Sequence, residues 1–161
     1  MSLYRREDDM KDFGFEQTSM AQWYSLLQDA ENTVGAHLNE DIEHYLALTL
    51  DGFTTDITSL SGVVAIDYLE SIELKTQNDI NQLRNVGDCC LVLSGLFPER
   101  ALKRRTTLDY FVAIGRQAYY SISYVKSHAA NDPELFQSLC HQFVEIKDIL
   151  GAMRNIKRQL Q

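Results

Sequence analysis

The sequence has few of the residues that interrupt or cross-link a chain. Its 161 residues include 2 prolines and 3 cysteines. An odd number of cysteines, two of them adjacent at Cys89 and Cys90, does not make a disulfide framework. Neighbours on a helix point about 100° apart, so these two cannot readily bond to each other. We therefore expect reduced thiols, which indicate the cytoplasm.

Long apolar runs and a basic charge balance are also absent. No segment approaches the roughly 18 consecutive apolar residues of a membrane span, and the opening MSLYRREDDM has no apolar stretch of the kind found in export signals. The formal net charge is -8, which argues against a uniformly basic nucleic-acid surface. We expect a cytoplasmic protein with neither a nucleic-acid nor a membrane partner.

The charge is unevenly placed along the chain. Residues 1–98 hold 5 Lys or Arg against 17 Asp or Glu, whereas residues 99–161 hold 10 against 6. Two interpretations stay open. The basic second part pairs with the acidic first part, or it presents a basic patch to an anionic partner.

Hydrophobic residues make up 45% of the chain and charged residues 24%, values typical of one globular domain. The pattern predicts a mobile N-terminal tail over residues 1–17 and a helical bundle over residues 18–161. Apolar residues recur every three to four positions, which predicts an all-α, single-domain bundle of five to six helices. The expected helices run over about 18–34, 37–51, 58–74, 78–97, 107–127 and 133–160; for 58–74, which is rich in β-branched residues, a short strand is the alternative.

The last two predicted helices carry the clearest signals. The helix from Leu108 to Val125 is apolar on nearly all sides, which predicts a central place in the bundle. The next helix begins with Asn131-Asp132-Pro133-Glu134, which offers a cap, a proline at the first helical position and an acid in the first turn.

The stretch GDCCLVLSGLFPERALKRR, residues 87–105, combines small and basic residues. Gly87, Cys90, Ser94 and Gly95 form a ridge of small side chains, and Gly115 and Ala118 offer a matching surface on the following helix. A glycine inside a helix costs about 1 kcal/mol relative to alanine, so its repeated use indicates close helix packing. The cysteines are then small buried hydrophobes, with no CxxC spacing to lower a thiol pKa.

This stretch, with the following DYFVAIGRQAYYSIS, resembles a family of small helical bacterial proteins without an assigned function. The shared pattern is close to GDxxLxxSGxFP, a basic corner and DYxxxxGxxAY, over residues 87–123. The resemblance implies an all-helical fold and no particular activity. It places the pattern on Gly87, Asp88, Ser94, Gly95, Phe97, Pro98, Asp109, Tyr110, Gly115, Ala118 and Tyr119.

The corner before the fifth helix is the main candidate for a ligand site. Backbone N–H groups at a helix start, beside several basic side chains, can hold a phosphate or a carboxylate. The polar face of the fifth helix, which includes Tyr120 and Tyr124, could line a pocket. The alternative is a structural role, since tyrosines on a buried helix usually form hydrogen bonds with a partner helix. The candidate anion-binding residues are Arg100, Lys103, Arg104, Arg105, Asp109, Arg116 and Tyr119.

A metal site has weaker support. His37, Asp41 and His44 are spaced to share one helix face, and His141 with Glu145 is the only comparable second pair. The sequence contains no HExxH, GxSxG, P-loop or dinucleotide-binding motif, so we assign no catalytic residue and no cofactor.

The sequence therefore favours a non-catalytic helical protein–protein interaction module that forms a homodimer. The alternative is a domain that binds an anion or another small molecule through the basic corner and the Tyr/Arg face of the next helix, with or without an enzymatic activity. An interaction module should leave a large apolar stripe exposed, whereas a ligand-binding protein should enclose a polar pocket.

Overall fold

The computed structural model describes residues 20–55, 77–102, 107–125 and 132–159. All regular structure in these ranges is helical, which confirms the predicted all-α domain. Contacts between Cα atoms divide the chain into two compact units, residues 1–60 with 148–161 and residues 61–147. The helices are α1 (Met20–Val34), α2 (Glu40–Thr55), α3 (Gln77–Leu96), α4 (Pro98–Leu102), α5 (Leu108–Ser123), α6 (Pro133–His141) and α7 (Phe143–Gln159).

The described ranges thus hold seven helices, where five or six were expected for the whole domain. Pro98 begins the short α4, with a single residue between it and the end of α3, and the predicted sixth helix is divided into α6 and α7. The division lies at Gln142, with no glycine or proline nearby to reveal it in the sequence. The predicted tail and the predicted helix over 58–74 lie outside the described residues.

The first two helices form a hairpin around a tight turn. Trp23, Leu27 and Ala30 of α1 are fully buried, as the helical spacing predicts. Gly35 has a φ of 78°, the left-handed conformation that glycine adopts most easily after a helix, and its N–H donates to the Glu31 carbonyl at 2.8 Å. Asn39 then caps α2 by accepting the Ile42 N–H at 2.9 Å.

Helices α3 and α5 approach each other closely in the second unit. A methyl group added at Gly87 would lie 2.5 Å from Cε1 of Tyr119 on α5. One added at Gly115 would lie 2.6 Å from Cε2 of Phe143 and 3.0 Å from Cβ of Cys90 on α3. Both glycines are therefore required by the close packing. The predicted close approach of the two helices is observed, but the groups nearest the glycines are aromatic rings, and of the predicted ridge only Cys90 is shown beside Gly115.

Helix α5 packs against both α3 and α6, in keeping with the predicted central place. Its buried face carries Phe111, Gly115, Ala118, Tyr119 and Ile122. The other face is not covered, because Tyr110, Tyr120 and Tyr124 are 44%, 47% and 65% exposed. One face of this central helix is therefore exposed, although its residue pattern is apolar on nearly all sides.

The start of α6 follows the sequence signal closely. Asp132 accepts the Leu135 N–H at 3.2 Å, and Pro133 occupies the first turn. Thr107 caps α5 in the same way, by accepting the Tyr110 N–H at 3.2 Å. The cap at the start of α6 was predicted from the sequence, whereas the cap at the start of α5 was not.

Candidate functional site

The predicted anion-binding residues fall into three environments. Lys103, Arg104 and Arg105 lie outside the described residues, so the basic corner stays a prediction. Arg100 lies in α4 and is buried, with 9% of its surface exposed. The remaining three candidates lie on α5, and the structure does not place them on one surface.

Asp109 and Arg116 lie on the exposed side of α5, seven residues apart. Arg116 donates from Nε to the carbonyl oxygen of Cys140 at 3.2 Å. That carbonyl lies in the last turn of α6, where the helix dipole favours a cation. Arg116 therefore has a structural contact that ties α5 to the end of α6.

Tyr119 lies in the core of the second unit. Its side chain is fully buried and its ring packs against Phe136 and Phe143, with both centroid distances 5.9 Å. Its hydroxyl donates to Oδ1 of Asp88 on α3 at 2.6 Å. A buried tyrosine normally bonds through its hydroxyl in this way. Both residues belong to the GDxxLxxSGxFP and DYxxxxGxxAY pattern, yet the sequence did not indicate that they bond to each other.

The histidines and acids considered for a metal do not assemble. Helix α2 begins at Glu40, so His37 precedes it and the expected helix face of His37, Asp41 and His44 is wrong. His141 ends α6 and Glu145 lies in the first turn of α7, so this pair is divided by the break at Gln142. Within the described ranges, no group of three or more His, Cys, Asp or Glu side chains is arranged to hold a metal ion.

The three cysteines all lie in the described helices. Each is buried and no disulfide joins them. Burial raises the pKa of Cys90 to about 12. A thiol with that pKa stays protonated at neutral pH and is a poor nucleophile, which supports the packing role inferred from the sequence for this cysteine.

One exposed feature of α5 does have the composition of a contact surface. Tyr110, Ala113, Gln117, Tyr120 and Tyr124 follow each other at spacings of three or four residues, and all five are exposed. We refer to these five residues as the tyrosine stripe. The first four lie on α5, and Tyr124 is its C-cap residue, in helical conformation.

The two tyrosines at the C-terminal end of the stripe hold each other in place. The Tyr120 hydroxyl donates to the Tyr124 hydroxyl at 3.1 Å, and the ring centroids are 4.8 Å apart. This hydrogen bond raises the pKa of Tyr120 above its ordinary value. The mutual contact of the two rings also reduces the rotamer freedom that a binding partner would otherwise have to restrict.

Comparisons with known proteins supply no relative for this chain. No protein-family model, no curated protein and no solved structure matches it. The resemblance carried by residues 87–123 accordingly stays a prediction. Of the described residues, no helix is both long enough and apolar enough to cross a membrane.

Proposed function

We propose that this chain is a non-catalytic, cytoplasmic protein–protein interaction module that self-associates through the tyrosine stripe of α5. The observation that carries the proposal is the exposure of three tyrosines on one helical stripe, at 44%, 47% and 65%. Tyrosine is enriched in the buried centres of protein interfaces because it offers a large apolar area and a hydroxyl with few rotatable bonds.

The order of residues along the stripe favours a second copy of this chain as the partner. The smaller Ala113 and Gln117 lie between the large side chains of Tyr110 and Tyr120. An antiparallel copy related by a two-fold axis can place Tyr120 of one chain over Ala113 of the other. Both copies then make the same contact, as two-fold symmetry requires.

None of the five positions of the stripe carries a formal charge, so the contact residues themselves are neutral. The cytoplasmic part of the proposal is supported by three buried cysteines without a disulfide. The alternative function, anion binding at the basic corner, depends on residues 103–105, which the structure does not describe.

Sedimentation velocity over a range of protein concentrations tests the proposal. We expect the wild-type chain to sediment as a dimer and Tyr120→Arg to sediment as a monomer, because the substitution would bury an unpaired charge in each copy. Leu48→Arg is the matched control, since Leu48 is 51% exposed on α2 and lies outside the stripe. A wild-type monomer at every concentration, or a dimer that withstands Tyr120→Arg, would overturn the proposal.

A further inference from the structure

Arg116 is the only basic residue of α5, and it lies on the flank of the tyrosine stripe. It is exposed and directly precedes Gln117, the middle residue of the stripe. Its Nε donates to the carbonyl oxygen of Cys140 at 3.2 Å, which holds the side chain against the end of α6. That bond does not use the two Nη groups, which together form the fork that binds phosphates and carboxylates.

No acid neutralises Arg116 within the part of the chain that the structure describes. The single acid of α5, Asp109, is also exposed, but it lies seven residues before Arg116. Seven residues are about two helical turns, or about 10 Å along the axis, whereas ion pairs on a helix join residues three or four positions apart. The charge of Arg116 is therefore uncompensated beside a surface that we propose to be a contact.

The proposed dimer brings two such charges together. Placing Tyr120 of one copy over Ala113 of the other centres the contact midway between these positions, at residues 116 and 117. The two-fold axis that relates two antiparallel helices passes through this centre at right angles to both, so the same flank of each helix lies on the same side of the pair. Arg116 therefore lies across the axis from Arg116 of the partner subunit.

Two positive charges at this place oppose the contact that the tyrosines favour. The axes of packed helices lie about 8–10 Å apart, so two arginine side chains on facing flanks reach the same point. Like charges repel there, but an anion with several acceptor oxygens can accept hydrogen bonds from both guanidinium groups. The dimer thus creates an anion site that neither copy has alone.

We propose that an oxyanion such as phosphate binds on the two-fold axis, between Arg116 of the two copies, and controls self-association through the tyrosine stripe. The inference rests on the proposed function, because the site is complete only when two copies meet. The hydrogen bond from Nε to Cys140 holds each guanidinium in place before the anion arrives, which lowers the entropy cost of binding. The stripe supplies the apolar contact, and the anion removes the repulsion on its flank.

Sedimentation velocity of the full chain in phosphate and in chloride buffers tests the proposal, at equal pH and equal ionic strength. Equal ionic strength keeps general screening constant, so a difference reports specific binding. An anion that binds only the dimer raises the association constant about tenfold when it is present at about nine times the dissociation constant of its site. At higher phosphate concentrations the association constant should rise in direct proportion, because each dimer binds one anion.

Arg116→Gln is the deciding variant. It removes the charge and keeps a polar side chain, so its dimer should be at least as tight as the wild type in chloride and should gain nothing from phosphate. Arg84→Gln is the matched control, because it removes the same charge from α3, where Arg84 donates to Asn81 at 3.0 Å. We expect Arg84→Gln to keep the full phosphate effect.

The possible results separate this proposal from the proposed function. A wild-type chain that stays monomeric at every concentration in both buffers overturns both. A dimer of equal strength in phosphate and chloride overturns only the anion site. The same equality is expected if phosphate binds the predicted basic corner instead, because that site would be present in monomer and dimer alike. A phosphate effect that survives Arg116→Gln also overturns it.

The wild-type measurements decide even if Arg116→Gln does not fold. One shared site predicts an association constant that rises in proportion to phosphate. A rise with the square of the phosphate concentration would show that each copy binds its own anion, and it would overturn a site shared on the two-fold axis.

Discussion

The hairpin of α1 and α2 and the pair of α3 and α5 are held together in opposite ways. In the α3 and α5 pair, the deciding feature is the absence of side chains at Gly87 and Gly115. Aromatic rings pack where a methyl group on either glycine would lie. In the hairpin, the glycines at positions 35 and 52 have no atom within 4 Å of an added methyl group. There the deciding feature is polar, a buried carboxyl that accepts a backbone N–H in the turn.

This difference shows which region should respond to which perturbation. Packing of small residues against aromatic rings depends on shape and is insensitive to pH. The hairpin depends instead on a buried carboxyl that accepts a backbone N–H, and its two glycines have open space around them. Substitutions that add volume should therefore damage the α3 and α5 pair most, and changes of charge or backbone conformation should act on the hairpin.

The largest effect is expected for Gly87→Ala. The added methyl group would press on the Tyr119 ring, which cannot move away because Phe136 and Phe143 pack against it. Overpacking of this kind costs about 3 kcal/mol, more than the roughly 1 kcal/mol that alanine gains over glycine in a helix. Urea unfolding measures the loss in the free energy of unfolding.

Gly52→Ala is the control for that substitution. Gly52 also lies within a helix but has open space around it, so alanine should raise the free energy of unfolding by up to about 1 kcal/mol. If both substitutions change stability in the same direction and by similar amounts, close packing does not explain the glycine in α3.

The next largest effect is expected for Tyr119→Phe, which acts on the polar contact between α3 and α5. Tyr119→Phe removes the hydroxyl that donates to Asp88 and leaves the ring packing in place. We expect the free energy of unfolding to fall by about 1.5 kcal/mol, the lower end of the usual range for a hydrogen bond to a carboxylate, because Asp88 is partly exposed. Tyr120→Phe is the matched control, because its hydroxyl bonds on the exposed face to Tyr124. Equal losses for the two variants would contradict a buried role for the Tyr119 hydroxyl.

The sequence predicted those parts of the structure that depend on local patterns. Helix stripes, the caps at the start of α6 and the ridge of small residues facing Gly115 are all encoded by residues a few positions apart. The hydrogen bond between Tyr119 and Asp88 is not, because it joins two helices and neither residue differs in type from a surface residue. The exposed stripe on α5 was missed for a related reason, since periodicity cannot show which faces of an apolar helix receive a neighbour.

The smallest effect is expected in the turn of the hairpin. Gly35 has a φ of 78° with open space around it, so Gly35→Ala should cost only the strain of a left-handed conformation, about 1 kcal/mol. Gly35→Asn should cost less, because asparagine tolerates that conformation although it is the larger residue. At Gly87, where space decides, asparagine should instead be worse than alanine. If Gly35→Asn is the more damaging substitution at the turn as well, then volume and not backbone conformation limits the hairpin, and the contrast between the two helix pairs is lost.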